Sequence, residues 1–189
     1  MAKTGAYGIT SVTLAEPGSN GAYPSSWTGT GTFGFKAIVK DSLQFNDSPS
    51  SDTDIEVEDS DDMYASLRGS EATKGFTMDT YDLGADAYQA LLQFTEATEG
   101  TGADAVTWYA APVTTTDLIK AVQIVTRAFD DFPSKTFQWA RMKIKVTRAG
   151  TIGKGGFPNF HLEFRELQNN NSSGVAISGH RWKLTPVAS

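Results

Sequence analysis

The residues with chemistry to offer are few: His161 and His180, alternating acids at Asp52, Asp54, Glu56 and Glu58, a glycine-rich lysine loop at residues 150–155, and four tryptophans. Metal sites draw histidines from short fixed intervals so that two imidazoles meet one ion, and neither histidine belongs to such a pattern. Each alternates with apolar positions, which sets it on a wet strand face, toward solvent or a partner. In the loop, the interval before Gly153-Lys154 is too short to cradle a phosphate, and Gly155 stands where the magnesium-holding hydroxyl belongs. It reads as a hairpin loop. The alternating acids resemble a calcium loop in spacing, yet Val57 occupies the position where the sharp turn requires glycine, so a solvated or partner-facing acidic edge is the better reading. The 22 acids always offer pairs for general acid-base work, but none is singled out by a cleft. Asn46-Asp47-Ser48 and Asn171-Ser172-Ser173 match the glycosylation pattern, which has no meaning without secretion. Trp27, Trp108, Trp139 and Trp182 could form a sugar-stacking platform, although packing on strand faces suits them better. No catalytic, cofactor or metal set emerges, and the expectation is a protein that is not an enzyme and takes no cofactor.

Charge is distributed more tellingly. Residues 135–165 carry seven Lys or Arg against one acid, Glu163, whereas residues 41–62 carry nine acids and no cation. A chain with two electrical poles can adhere to copies of itself. The net charge of -6 argues against a binder held by phosphate contacts, which needs an excess of cations. There are no cysteines, so disulfides and thiolate metal sites are excluded. The opening residues lack an apolar signal segment and no run approaches a membrane span, so the chain is expected to be soluble, made in a cytoplasm, with no membrane partner.

The elements that must carry these residues are mostly strands. The 189 residues, 39% of them hydrophobic, suffice for a single domain over 1–189. Residues 7–15 read as a first strand stopped by Glu16-Pro17-Gly18, and 16–34 as a Gly/Ser/Thr-rich loop with Tyr23 and Trp27 embedded. Phe33, Phe35, Ala37 and Val39 share one face of a strand that Leu43 and Phe45 extend. The acidic stretch 46–62, with Pro49 and many serines, reads as a solvated loop, and 69–80 as a strand. A helix follows, with Leu83, Ala87, Leu91 and Phe94 at helical spacing, Asp82 as N-cap and Gly100 as its stop. Residues 104–112 form a candidate strand. Residues 118–129 fit both periods, and their Val, Ile and Thr content favours a strand. Residues 139–147 and 159–167 alternate cleanly between core and charge, and 175–184 closes the chain with Trp182 and Leu184 inward. The fold class is therefore mainly β (α+β): a two-sheet sandwich or barrel of about eight strands with one flanking helix.

The succession Lys120-Ala121-Val122-Gln123-Ile124-Val125-Thr126-Arg127, then Ala140-Arg141-Met142-Lys143-Ile144-Lys145-Val146, Gly153-Lys154-Gly155-Gly156-Phe157 and Phe160-His161-Leu162-Glu163-Phe164-Arg165-Glu166-Leu167 resembles the C-terminal half of the major tail tube proteins of long-tailed bacteriophages. Gly75-Phe76-Thr77-Met78 with the helix behind it resembles that family's middle, and the likeness spans residues 30–186. It implies a virion structural protein, hexameric rings stacked into a tube, partners among other tail proteins (tape measure, tail terminator, tail tip), and a lumen through which DNA passes without tight binding. Secretion-system tube proteins and other virion ring proteins share that fold. On this reading Asp52, Asp54, Glu56 and Glu58 are expected in contacts between subunits, with Arg141, Lys143 and Lys145 as their cationic partners. The alternative expectation is a monomeric carbohydrate-binding β-sandwich using exposed Trp and Tyr.

Overall fold

A computed structural model describes residues 7–57, 60–70, 72–114, 116–129, 132–151 and 157–185. The strands in chain order are β1 (Tyr7–Ala15), β2 (Phe33–Gly34), β3 (Gln44–Phe45), β4 (Ser51–Val57), β5 (Ser60–Ser70) and β6 (Gly75–Thr80). After the helix α1 (Ala85–Leu92) come β7 (Thr95–Glu99), β8 (Val106–Ala110), β9 (Leu118–Arg127), β10 (Ser134–Ala149), β11 (Asn159–Glu166), β12 (Asn169–Asn170), β13 (Ala176–Ile177) and β14 (His180–Thr185). The fold is mainly β with one helix among the described residues, as the alternation predicts.

Eight strands form one antiparallel sheet in the order β2-β1-β9-β10-β11-β6-β3, with β14 also on β10. Its edges meet through residues 33–39. On one side Phe33 and Gly34 pair with Leu14 and Thr13, and Phe35 N–H donates to Val12 O at 3.0 Å. On the other, Ile38 bridges Thr80, Val39 N–H donates to Asp79 O and Tyr81 N–H to Ala37 O, both at 2.9 Å. The sheet thus rolls into a barrel whose seam is this short segment, which removes the open edges of the central strands. Asp82 locks the seam: its Oδ2 accepts from the backbone N–H of Lys36 (2.7 Å) and Ala37 (3.1 Å) and from the Thr80 hydroxyl (3.0 Å).

Period 2 fills the interior. Val12, Leu14, Val122, Ile124, Met142, Ile144, Leu162, Phe164, Phe76 and Met78 are buried in one cluster, while Lys143, Lys145, Glu163 and Arg165 face outward between them. Helix α1 covers one end of the barrel, burying Ala87 and Leu91 and setting Tyr88 edge-on to Phe160 at 5.3 Å. Toward the other end the rings of Phe45, Phe76, Phe137 and Trp139 pack against one another. Strand β10 runs for 16 residues and serves two partners along one edge: residues 134–139 pair with β14 and 142–149 with β11. A bulge between Trp139 and Met142 marks the fork, where Ala140 N–H donates to Gly179 O and Leu167 N–H to Arg141 O.

Several expectations need correction. The acidic stretch is not a loop: Ser51–Val57 is a strand hydrogen-bonded to β5. The expected strand over 69–80 is two strands, β5 ending at Ser70 and β6 beginning at Gly75. The expected continuous strand over 33–45 shrinks to β2, the bridge at Ile38 and β3, because this stretch must turn from one sheet edge to the other. Asp82 does not cap the helix; Gly84 holds the N-cap position, and Gln93 in the left-handed conformation (φ 58°) ends α1 well before Gly100, leaving Phe94 outside. Trp182 and Leu184 are exposed, because nothing described covers that face of β14. The histidines are half-exposed as their alternation suggests, yet both have partners on their own chain: His161 Nδ1 lies 2.6 Å from Asp79 Oδ1 and His180 Nδ1 lies 3.2 Å from Glu166 Oε1.

Candidate self-assembly surface

The acidic strand belongs to an outgrowth of the barrel wall. Pairing of β3 with β6 continues outward as Asn46 N–H donates to Gly75 O, and Ser48 and Thr73 exchange two backbone hydrogen bonds at 2.8 and 2.9 Å. β4 and β5 then pair from Ser51 opposite Ser70 to Val57 opposite Ser60. At about 3.3 Å per residue the ribbon reaches roughly 30 Å beyond Ser48. Its register slips three times, each slip adding residues on β5, which increases the local twist. β4 and β5 form a sheet of their own, so both outer edges carry backbone groups unpaired by any described strand. Asp52 stands opposite Arg68, Asp54 opposite Ser66 and Glu56 opposite Met63, while Glu58 lies outside the described residues. Residues 52–62 hold seven acids, so this ribbon is strongly negative toward its Val57 and Ser60 end.

The expected cations sit elsewhere, on the outside of β10. Lys143 and Lys145 alternate with buried Met142 and Ile144 and are exposed. Both have acids within their own chain: Lys143 Nζ is 2.8 Å from Asp117 Oδ2 and Lys145 Nζ is 3.5 Å from Glu163 Oε2. A second copy's acids would compete with these pairs, and exposed pairs are worth only about 0–1 kcal/mol. Arg141 is half-buried at the bulge and has no ion-pair partner among the described residues.

Other surfaces were less legible. The hairpin β7–β8 is exposed along its whole length and, like β4–β5, is a two-stranded sheet by itself. It presents Val106, Trp108 (58% exposed) and Tyr109. Between Lys74 and Lys120 the sequence has seven acids and no cation, so this aromatic hairpin sits in negative surroundings. Gln89 Nε2 donates to Glu96 Oε1 at 2.9 Å and ties the hairpin to α1. Strand β14 pairs with β10 on one side and has no described strand on the other, and it exposes Trp182 (59%) beside Lys135, whose ammonium lies 5.7 Å from the indole centre. Alternation alone marked Trp108 and Trp182 as strand residues but not as uncovered ones. Nearby, the Arg181 guanidinium lies 3.9 Å over the Tyr23 ring and its Nε donates to Gln138. Burial raises the Tyr23 hydroxyl above its ordinary pKa of 10.0, and Arg181 draws it partly back.

A cleft of about 660 Å³ lies where the base of the acidic ribbon meets β10 and β11. Lys74, Lys143 and Arg165 stand exposed at its rim, and Glu166 and Asn169 line it more deeply. No described helix is long and apolar enough to cross a membrane. Comparison with protein-family models and with curated proteins finds no match for the chain.

Proposed function

We propose that this chain is a structural subunit of a bacteriophage tail tube: copies of it join into rings, expected to be hexameric, that stack around a channel for DNA. The observation that carries the reading is a barrel closed through its seam at residues 33–39 that also grows two hairpins, β4–β5 and β7–β8, whose outer edges pair with no described strand. Open strand edges are templates for pairing with another chain, and natural monomers cover or shorten them. Here they are long and they protrude. Pairing between unlike patches of identical subunits is heterologous, and it closes into rings or propagates as a filament according to its rotation. Segregated charge supports the same reading, since the acidic ribbon of one copy attracts the cationic barrel face of another while like faces repel. A net negative conduit also suits DNA passage, because a wall poor in free cations holds phosphates weakly.

The test is negative-stain microscopy of the concentrated protein beside its mass in dilute solution. Rings or tubes are expected, with or without an added tail-tip initiator. A particle that stays at the 20.3 kDa monomer mass at every concentration overturns the reading. One observation favours the alternative, a carbohydrate-binding module: Trp108 and Trp182 are both more than half exposed. Sugar rings stack on such indoles, so that reading predicts quenching of tryptophan fluorescence by oligosaccharides from a monomeric species.

A further inference from the structure

We infer that the hairpin β7–β8 packs its apolar face on the exposed aromatic strip beside β14 in a second copy of this chain, joining copies end to end. The inference deepens the proposal of self-assembly and rests on it. Rings that stack need two kinds of contact, one around the ring and one along the stack, and this joint runs along the stack.

Each partner is an apolar face that no described element covers. Residues directly opposite one another in an antiparallel pair share a face, so Ala97 with Trp108 and Glu99 with Val106 lie together on one side of the hairpin. Tyr109 and Glu96 lie on the other side, which Gln89 ties to α1. The Trp108 side therefore points away from the helix, into the open. On β14 the same rule sets Trp182 with Phe137 and Leu184 with Lys135. The Phe137 ring lies 6.0 Å from that of Phe45, so Phe45, Phe137, Trp182 and Leu184 form one strip, with Phe45 and Trp182 both more than half exposed. Single apolar residues are normal on a surface; a continuous strip marks a place of contact.

Charge selects the occupant. No acid follows Glu166 in the sequence, and Lys135, Arg181 and Lys183 flank the strip, the Lys135 ammonium lying 5.7 Å from the Trp182 indole. The hairpin is the reverse: it carries Glu96 and Glu99 on β7 and Asp104 between its strands, and no cation stands between Lys74 and Lys120. Glu99 on the hairpin's apolar side and Lys135 on the strip have no ion-pair partner among the described residues. Joining the two faces covers both sets of aromatic rings and sets these opposite charges against each other. Two strips meeting each other would oppose cation to cation, and a sugar would use the indoles but not the charges.

Position gives the joint a direction. The hairpin is rooted between α1 and the start of β9, where the Gln93 amide donates to Thr116 O and the Thr116 hydroxyl to Gln93 Oε1, both at 3.0 Å. That is the barrel end that α1 covers. The rings of Phe45, Phe137 and Trp139 mark the other end. A chain whose hairpin and strip stand at opposite ends joins them between copies, and a contact of unlike ends repeats from copy to copy without using itself up.

The test uses the absence of cysteine from the chain. Ala97→Cys places one thiol on the hairpin's apolar side and Leu184→Cys one on the strip, both at exposed positions. The two single-cysteine chains are mixed at a concentration where the unaltered protein assembles, treated with a short bismaleimide and resolved by denaturing electrophoresis. A linked dimer is expected from the mixture and from neither chain alone, because the joint brings unlike faces together. Adding Trp182→Ala to the Leu184→Cys chain is expected to lower the linked yield roughly tenfold, with the circular dichroism of the fold unchanged. If the unaltered protein forms rings or tubes but the mixture links no more than the separate chains, or Trp182→Ala leaves the yield as it was, the joint is wrong while self-assembly stands. If the unaltered protein stays monomeric at every concentration, both fall.

Discussion

At the scale of single residues, the chain spends its polar groups on closing the barrel. Asp82 gathers two backbone N–H groups and the Thr80 hydroxyl on one oxygen, and Thr80 itself is fully buried, its single hydroxyl proton lying between Asp82 Oδ2 (3.0 Å) and Ala37 O (3.2 Å). Removing the carboxylate strands part-buried donors at the seam. Asp82→Ala is therefore expected to lower unfolding free energy by about 2 kcal/mol, and Asp82→Asn, which keeps an acceptor, by less; urea titration measures both. Tyr23 makes a second prediction. Its hydroxyl pKa is raised in the folded state, so the neutral form is favoured there more than in the unfolded chain. The stability this contributes is fully present below pH 10 and is lost as pH rises above it. Tyr23→Phe is expected to flatten that alkaline decline relative to the unaltered protein, as followed by thermal midpoints above pH 9. Neither role is written in local sequence. Asp82 stands two residues before an N-cap and reads as a cap, because its true partners at Lys36 and Ala37 are more than forty positions away.

Among the elements, a face in the core makes a strand legible, and of the strands without one the sequence marks β8 and β14 but not the acidic β4. The outer parts of β10, with β11 and β6, alternate because their inner residues fill the barrel, and the sequence shows that period directly, whereas β9 fits both periods and is marked as a strand by its Val, Ile and Thr content. The acidic ribbon has no core to face, so its Asp, Ser and Thr residues carry no apolar period and read as a loop; its pairing with β5 is legible only in three dimensions. Trp182 and Leu184 erred in the other direction, since alternation implies a covered face and β14 lacks one. The same distinction predicts how substitutions behave. Leu162→Ala removes a fully buried side chain from the barrel and is expected to cost about 2–5 kcal/mol. Trp108→Ala, on the exposed β7–β8 hairpin, is expected to change unfolding free energy by less than about 0.5 kcal/mol. Under the proposed function, the Trp108 variant keeps its midpoint in denaturant yet assembles more weakly in sedimentation, a separation that a structural role for Trp108 would not produce.

For the whole molecule, the division is between a barrel that closes on itself and a ribbon that pairs with itself. The register offers a clean cut. Ser48 and Thr73 form a hydrogen-bonded antiparallel pair, the geometry that a two-residue Asn-Gly turn spans without strain. Replacing residues 49–72 with Asn-Gly removes β4, β5 and their acids while leaving β3 paired with β6 and the seam at residues 33–39 intact. The described core residues, from Val12 to Phe164, all lie outside the excised segment, and shortening a connection lowers the entropy lost on closing it. The shortened chain is therefore expected to keep its near-ultraviolet dichroism and to unfold cooperatively within about 1 kcal/mol of the full protein. Its assembly is expected to vanish, because the ribbon supplies both an open edge and the acids that the cationic face attracts. A shortened chain that still forms tubes would assign assembly to the β7–β8 hairpin and the free edge of β14 instead. Loss of the fold on shortening would show that the ribbon contributes to the barrel, contrary to the separation seen in the hydrogen bonding.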